Sequence, residues 1–188
     1  MALSYPKAAG LLLFVGGAQW ILANILAEAL YPCYSIANNW ISDLGVGPSA
    51  AIFNASMVLL GLFVLCAAFS LYRSLNSRLF TAVLALTGVG AVGVGIFNEN
   101  FVNPHSVAAL TTFIFSGVSA IFSRRFLKSP FSYVSVILGA IVLAALGLTL
   151  SQVFLGIGNG GMERMVTYPA VLWMIGFGGY LMAEETKY

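Results

Sequence analysis

The stretch AAIFNASMVLLGLFVLCAAFSLY, residues 50–72, contains no Asp, Glu, Lys, Arg or His. A helix needs roughly 20 mainly apolar residues to cross a bilayer core of about 30 Å, so this run reads as a transmembrane helix. It is continuously apolar rather than alternating in polarity, which argues against a strand of a membrane β-barrel. Five more runs of the same kind lie between charged or Pro/Gly-rich breaks: Ala8–Leu30, Leu79–Phe97, Ser106–Phe122, Tyr133–Leu155 and Met165–Met182. The expected fold is therefore all-α, a bundle of six transmembrane helices with short loops. It fills residues 1–188 as one domain and leaves no room for a soluble one.

Composition supports the same reading. Hydrophobic residues make up 60% of the chain and charged residues 7%, with a mean hydropathy of +0.97. Soluble domains carry about 25% charged residues, and so few could not cover a water-exposed surface. The net charge of +2 carries little information, and nucleic acid is not an expected partner. Distribution matters more than the sum. With the N-terminus inside, Lys7, Arg73, Arg78, Arg124, Arg125, Lys128 and Lys187 fall on the inner side and only Arg164 on the outer. The positive-inside rule then puts both termini in the cytoplasm, in the plasma membrane of the cell. Glu28, Asp43, Glu99 and Glu163 gather at the outer ends, whereas Glu184 and Glu185 lie in the inner tail.

Lys7, the first apolar run and Ala27-Glu28-Ala29 loosely imitate a signal peptide. The run exceeds the usual length of such a core, about 7–15 residues, and is read as a retained span. Cys33 and Cys66 sit at different expected depths and lack metal-ligand spacing, so neither a disulfide nor a metal site is expected. The segment GVGAVG, Gly88 to Gly93, matches G-x-G-x-x-G. Without a preceding strand, and in mid-membrane, it does not signify dinucleotide binding. Gly88, Ala91 and Gly95 instead share a helix face, and small residues there allow close helix packing. Gly10 and Gly17, and Gly176 and Gly179, read the same way. Tyr31, Tyr34 and Trp40 suit the outer interfacial belt, and Tyr72, Phe126 and Tyr188 the inner one. The sequon at Asn54 lies too near the membrane to be a glycosylation site.

The amides are unevenly placed. Of eleven Asn and Gln residues, nine (Asn24, Asn38, Asn39, Asn54, Asn98, Asn100, Asn103, Gln152 and Asn159) belong to the outer half or its loops. Polar side chains at membrane depth must face protein or a wet cavity. The asymmetry predicts an outward-facing polar crevice. Asn24 and Glu28, four residues apart, share a helix face. NNWISDLGVGP, residues 38–48, supplies Ser42 and Asp43 ahead of Pro48, which suits the first turn of the second helix. FNENFVNPHS supplies Glu99 and His105, and GNGGMERMVTYP supplies Glu163, Arg164 and Tyr168.

His105 is the single histidine, just after an expected Asn103 cap and Pro104. A helix N-terminus disfavours its charged form, leaving a general base, a metal ligand or a plain interfacial residue. Arg164 reads either as an ion pair with Asp43 or Glu99 or as an anion clamp. Asp43 reads either as a cap or as a functional carboxylate. The interleaving of Trp40, Ile41 and Leu44 with Ser42 and Asp43 predicts a buried segment, with Asp43 close to His105, Glu163 or Arg164.

ISDLG, then GIFNEN and PHSVAAL, then GNGGMERM with the following YP and LW resemble, in order and spacing, an uncharacterised family of membrane proteins. It is catalogued as domain of unknown function nine-nine-eight, and its members are prokaryotic, largely archaeal, six-helix proteins. The family is in turn distantly similar to the DRAM/Frag/Sfk group, some of whose members handle glycolipids or sense lipids. Asp43, His105, Glu163 and Arg164 occupy the motif positions, and the resemblance assigns them no role. Two function classes follow. The first is an outer-leaflet enzyme that hydrolyses or transfers a lipid headgroup, with His105 as base, Asp43 or Glu99 orienting it or holding a metal, and Arg164 holding phosphate. A three-histidine zinc site is excluded, and no G-x-S-x-G elbow is present. The second, which the sequence favours, is a lipid-binding protein or an accessory subunit of a larger membrane complex. Its partners would be membrane lipid and other membrane subunits, and Arg164, Glu163, Asn24, Glu28, Asn54, Gln152 and Tyr168 would form its ligand site. A small-solute transporter fits less well, because the inner half lacks polar residues to complete a path. The sequence leaves the cofactor unknown.

Overall fold

A computed structural model describes residues 4–183. Among them are six helices and no strand: α1 (Tyr5–Leu30), α2 (Ala50–Tyr72), α3 (Arg78–Ile96), α4 (Val102–Ser123), α5 (Phe131–Leu150) and α6 (Gly158–Ala183). Each is long and apolar enough to cross a membrane, at 19–26 residues. At 1.5 Å per residue that is about 28–39 Å, matching the hydrocarbon core. Lys187, Glu184, Glu185 and Tyr188 lie outside the described residues. Arg73, Arg78, Arg124, Arg125 and Lys128 collect at one end of the bundle, here the basic end. The connections 31–49, 97–101 and 151–157 form the other, the polar end.

Each helix packs on its neighbours in sequence, and α6 returns to α1, closing a ring. A lesser contact between α4 and α6 leaves α5 outside, covering the seam between them. Glycine sets how closely α2 and α3 approach. A Cβ on Gly61 would come within 2.6 Å of the Gly88 carbonyl oxygen, and one on Gly95 within 2.6 Å of that of Asn54. Gly90 and Gly93 turn instead to Ala108 and Thr112 of α4. The glycine-rich motif is thus a packing device on two faces, and Ala91, expected on the same face as Gly88 and Gly95, points into the ring. On α6 it is Gly178 rather than Gly179 that meets α1, through Gly10.

Three boundaries differ from the hydropathy reading by four residues or more. α5 stops at Leu150, because the next residues enter a turn in which Gln152 and Leu155 take positive φ (58° and 49°). α6 starts at Gly158, seven residues early, so Glu163 and Arg164 stand on its first two turns and not in a loop. α4 starts at Val102, which puts Asn103 inside the first turn and Phe101 in the cap position. Polarity hid both helix starts, since hydropathy registers only the apolar part of a helix that overhangs the membrane.

Towards the basic end, aromatic rings fill the ring of helices. Phe80 meets Phe122, Phe126 and Phe177 at centroid distances of 5.7, 5.1 and 5.9 Å, and Phe177 stacks on Trp173 at 5.5 Å. The Trp173 indole donates to Ser123 Oγ at 3.0 Å, and Ser123 and Ser135 hydroxyls lie 2.6 Å apart. Ser135 also donates to the Ala120 carbonyl at 2.6 Å, so buried hydroxyls tie α4, α5 and α6 together.

Candidate functional site

ISDLG forms a short 3-10 turn, Ser42–Gly45, that plugs the polar end. Ile41 and Leu44 are buried, as the interleaved pattern predicts. The turn is fastened from below: Asn54 Nδ2 of α2 donates to the Gly45 carbonyl at 2.9 Å, and Ser49 Oγ to the Leu44 carbonyl at 3.1 Å. Asn54 therefore serves the turn. From α6, the Glu163 carboxylate accepts the Ile41 backbone N–H, and the Ser42 hydroxyl donates to the Glu99 carboxylate. Asp43 accepts from Asn39 Nδ2 at 2.9 Å and sits beside Glu99. Its own side-chain partners are thus Asn39 and Glu99, and Glu163 meets the segment two residues earlier. Burial raises the Glu99 pKa above the usual carboxylate range, and the neighbouring Asp43 pushes it further, against the Ser42 hydrogen bond.

Arg164, one residue on, points to a second cluster, because successive helix positions lie about 100° apart. Its guanidinium donates to the Glu28 carboxylate, to the Tyr34 hydroxyl at 2.9 Å, and to the carbonyls of Ile36 and Gly160 at 3.0 and 2.9 Å. Asn24 Nδ2 adds a 3.3 Å bond to Glu28, the four-residue pair read from sequence. Neither Asp43 nor Glu99 pairs with Arg164. Its ion pair is with Glu28, which is separated by 136 residues in the chain. With both terminal nitrogens committed, the guanidinium is a strut and not an anion clamp. Burial raises the Tyr34 pKa to about 12, so its hydroxyl stays protonated and donates to the Trp40 carbonyl at 2.9 Å. Gly160 makes room for this strap, since a Cβ there would collide with the Asn39 and Ile36 carbonyls.

His105 joins neither cluster. Its Nδ1 lies 2.7 Å from the Phe97 carbonyl, which can only accept, so Nδ1 carries a proton and donates. Tyr168 makes an edge contact with Trp20 at 6.3 Å. Gln152 hydrogen-bonds to the Thr149 carbonyl within its own turn and lines neither of the two cavities described below. Cys33 and Cys66 are free thiols. Among the described residues no three His, Cys, Asp or Glu side chains converge as a metal-ligand set.

The polar groups at this end thus bond mainly to one another rather than lining an open wet cleft. Below them lies what the sequence did not reveal, a narrow lumen with about 70 Å³ of free space. Its walls come from α1, α2, α3, α4 and α6, with Trp20, Met57, Leu84, Thr112 and Val171 among them, and α5 contributes none. Ile41, Ser42, His105 and Glu163 stand at its polar mouth. Val64, Leu84, Ser116 and Trp173, its deepest residues, lie some 12–15 residues from the polar-end helix termini, roughly 20 Å down. No signal in the sequence marks these lining residues, because they have the composition of an ordinary core.

No curated protein and no solved structure matches the chain. A family model does, over residues 14–180, and the motif residues that build the plug and strap all fall within it. With nearly the whole helix ring inside that match, this six-helix chain belongs to the family described as protein of unknown function, DUF998.

Proposed function

We propose that the protein binds a membrane lipid, taking one alkyl chain into the lumen and holding the headgroup side at Ser42, His105 and Glu163. The carrying observation is the polarity profile of one cavity: its ionisable groups stand only at the mouth, and the hydroxyls along its length, Thr87, Thr112, Ser116 and Thr167, are each bonded to a carbonyl of their own helix. That profile fits an amphipathic molecule better than a polar solute. The depth exceeds one leaflet's share of the hydrocarbon, about 15 Å. Below the deepest residues the aromatic cluster fills the ring, which supports storage or sensing over passage to the far side. The mouth faces outward if the seven-to-one basic bias orients the chain with both termini in the cytoplasm.

Ala109 lines the lumen on α4, and Ala109→Phe would fill it without touching the plug or strap. Wild type and variant, purified in mild detergent, are compared by native mass spectrometry. Loss of a co-purifying lipid from a still-folded variant is the expected result. Equal lipid content in the two proteins would refute lumen binding.

A second reading, an outer-leaflet enzyme acting on the headgroup, draws on one observation: the Ser42 hydroxyl bonds to the Glu99 carboxylate at the mouth that also holds His105. Such a pair resembles a hydroxyl with its base. Against it, the hydrogen bond of His105 goes to the Phe97 carbonyl and not to Ser42. The accessory-subunit reading has less support, since the outward α5 residues Tyr133, Val134 and Ile137 suit lipid as well as a protein partner.

A further inference from the structure

A second cavity, of about 250 Å³, lies between α1 and α6. Ile25 and Leu172 at its rim are 57% and 55% exposed on the bundle's outer surface, so it opens towards lipid. Trp20 and Val171 separate it from the lumen, lining both. Every other wall residue is apolar except Tyr168 and Asn24.

Asn24 is the anomaly. It is 2% exposed, and its Oδ1 accepts no hydrogen bond from the protein. The amide cannot be turned to relieve this. Nδ2 donates to Glu28 Oε1, an oxygen that also receives Arg164, and rotation would set Oδ1 against that carboxylate. The strap thus fixes an acceptor that no protein group satisfies on a residue lining the crevice, where surrounding hydrocarbon offers no donor. An acceptor left so is costly to the fold, which favours a ligand that supplies the donor.

Its depth narrows the ligand. α1 has 26 residues, about 39 Å, and overhangs a hydrocarbon core of about 30 Å. Asn24 is six residues from the polar end of α1, which places it within about one turn of the hydrocarbon boundary when the overhang is shared between the two ends. Lipid backbone groups sit at that level. We infer that the crevice between α1 and α6 binds a membrane lipid bearing an uncharged hydrogen-bond donor, a hydroxyl or amide N–H, next to its alkyl chains, with Asn24 Oδ1 as the acceptor. A phosphatidylcholine offers only acceptors and is discriminated against. The site goes beyond lipid binding in the lumen and does not depend on it.

The test uses the full chain in phosphatidylcholine nanodiscs with two photoactivatable probes of identical acyl chains carrying a diazirine: a diacylglycerol, with a free hydroxyl, and a phosphatidylcholine, without one. Cross-links are mapped by peptide mass spectrometry. At equal mole fraction the diacylglycerol should label residues 20–25 and 168–172 at least fivefold more than the phosphatidylcholine, and Asn24→Leu should abolish that preference. Labels on residues 57–64, 84–94 and 109–116 report the lumen separately, so failure of either site is seen without the other. Leu172→Trp fills the crevice from its lipid face, leaves the polar network intact, and should remove the crevice label alone. If Asn24→Leu does not fold, that variant decides. Equal labelling of the crevice by the two probes, a preference that survives Asn24→Leu, or a crevice label that survives Leu172→Trp overturns the inference.

Discussion

Replacing Arg164 with Met should unfasten the polar end. The Arg164 side chain is 7% exposed and that of its partner Glu28 is 18% exposed, so the ion pair is largely out of water. Methionine keeps much of the volume but removes the donors to Glu28, Tyr34 and the carbonyls of Ile36 and Gly160. Glu28 is then left as a largely buried charge, with Asn24 as its remaining side-chain hydrogen-bond donor. Breaking one side of a buried pair costs about 3–5 kcal/mol. For a chain of this size that corresponds to a Tm lower by roughly 6–20 °C. Glu28→Gln retains an acceptor for the guanidinium and should lose less. Pairing Arg164→Met with Glu28→Met removes the stranded charge and should recover part of the loss. The assay is thermal unfolding of the purified protein in mild detergent, followed by tryptophan fluorescence. A Tm for Arg164→Met within about 2 °C of wild type would refute the assignment of Arg164 as a strut.

The raised pKa of Glu99 makes stability pH-dependent with a definite sign. Between the unfolded value, about 4.3, and the higher folded one, the folded state holds the extra proton, so stability should fall as pH rises through that window. Glu99→Gln should reduce the slope of Tm against pH there, and an unchanged slope would count against a buried Glu99 beside Asp43. His105→Ala removes one hydrogen bond, to the Phe97 carbonyl at the end of α3, at a cost of about 1 kcal/mol. It should remain folded by size-exclusion chromatography yet retain less of any lipid held at the lumen mouth, and a collapse of the fold would contradict this placement. In a variant lacking Cys33 and Cys66, a cysteine at Asn76, in the connection between α2 and α3, should react with an impermeant maleimide only after cells are opened. Labelling in intact cells would reverse the proposed orientation.

The sequence by itself determined the six spans and the segregation of charge between the two ends. Bilayer thickness converts composition directly into helix count, and α2 matches its apolar run residue for residue. It also determined that ISDLG would be buried, because Ile41 and Leu44 alternate with polar neighbours. The neighbouring Asn24 and Glu28 were legible for the same reason, being one helical turn apart. Partners across the chain were not. The sequence reading paired Arg164 with Asp43 or Glu99, and only the approach of α1 to α6 selects Glu28 instead. Asp43 met Glu99, and His105 met the Phe97 carbonyl, because the 3-10 turn and the start of α4 aim those side chains apart. The lumen and the crevice were the least legible features. Trp20, Met57, Leu84 and Ala109 have the composition of a core. Whether helices pack such residues together or hold them apart around an empty space depends on where glycines let the backbones close, as at Gly61 and Gly88. That is decided between helices, by contacts that no single helix's pattern contains.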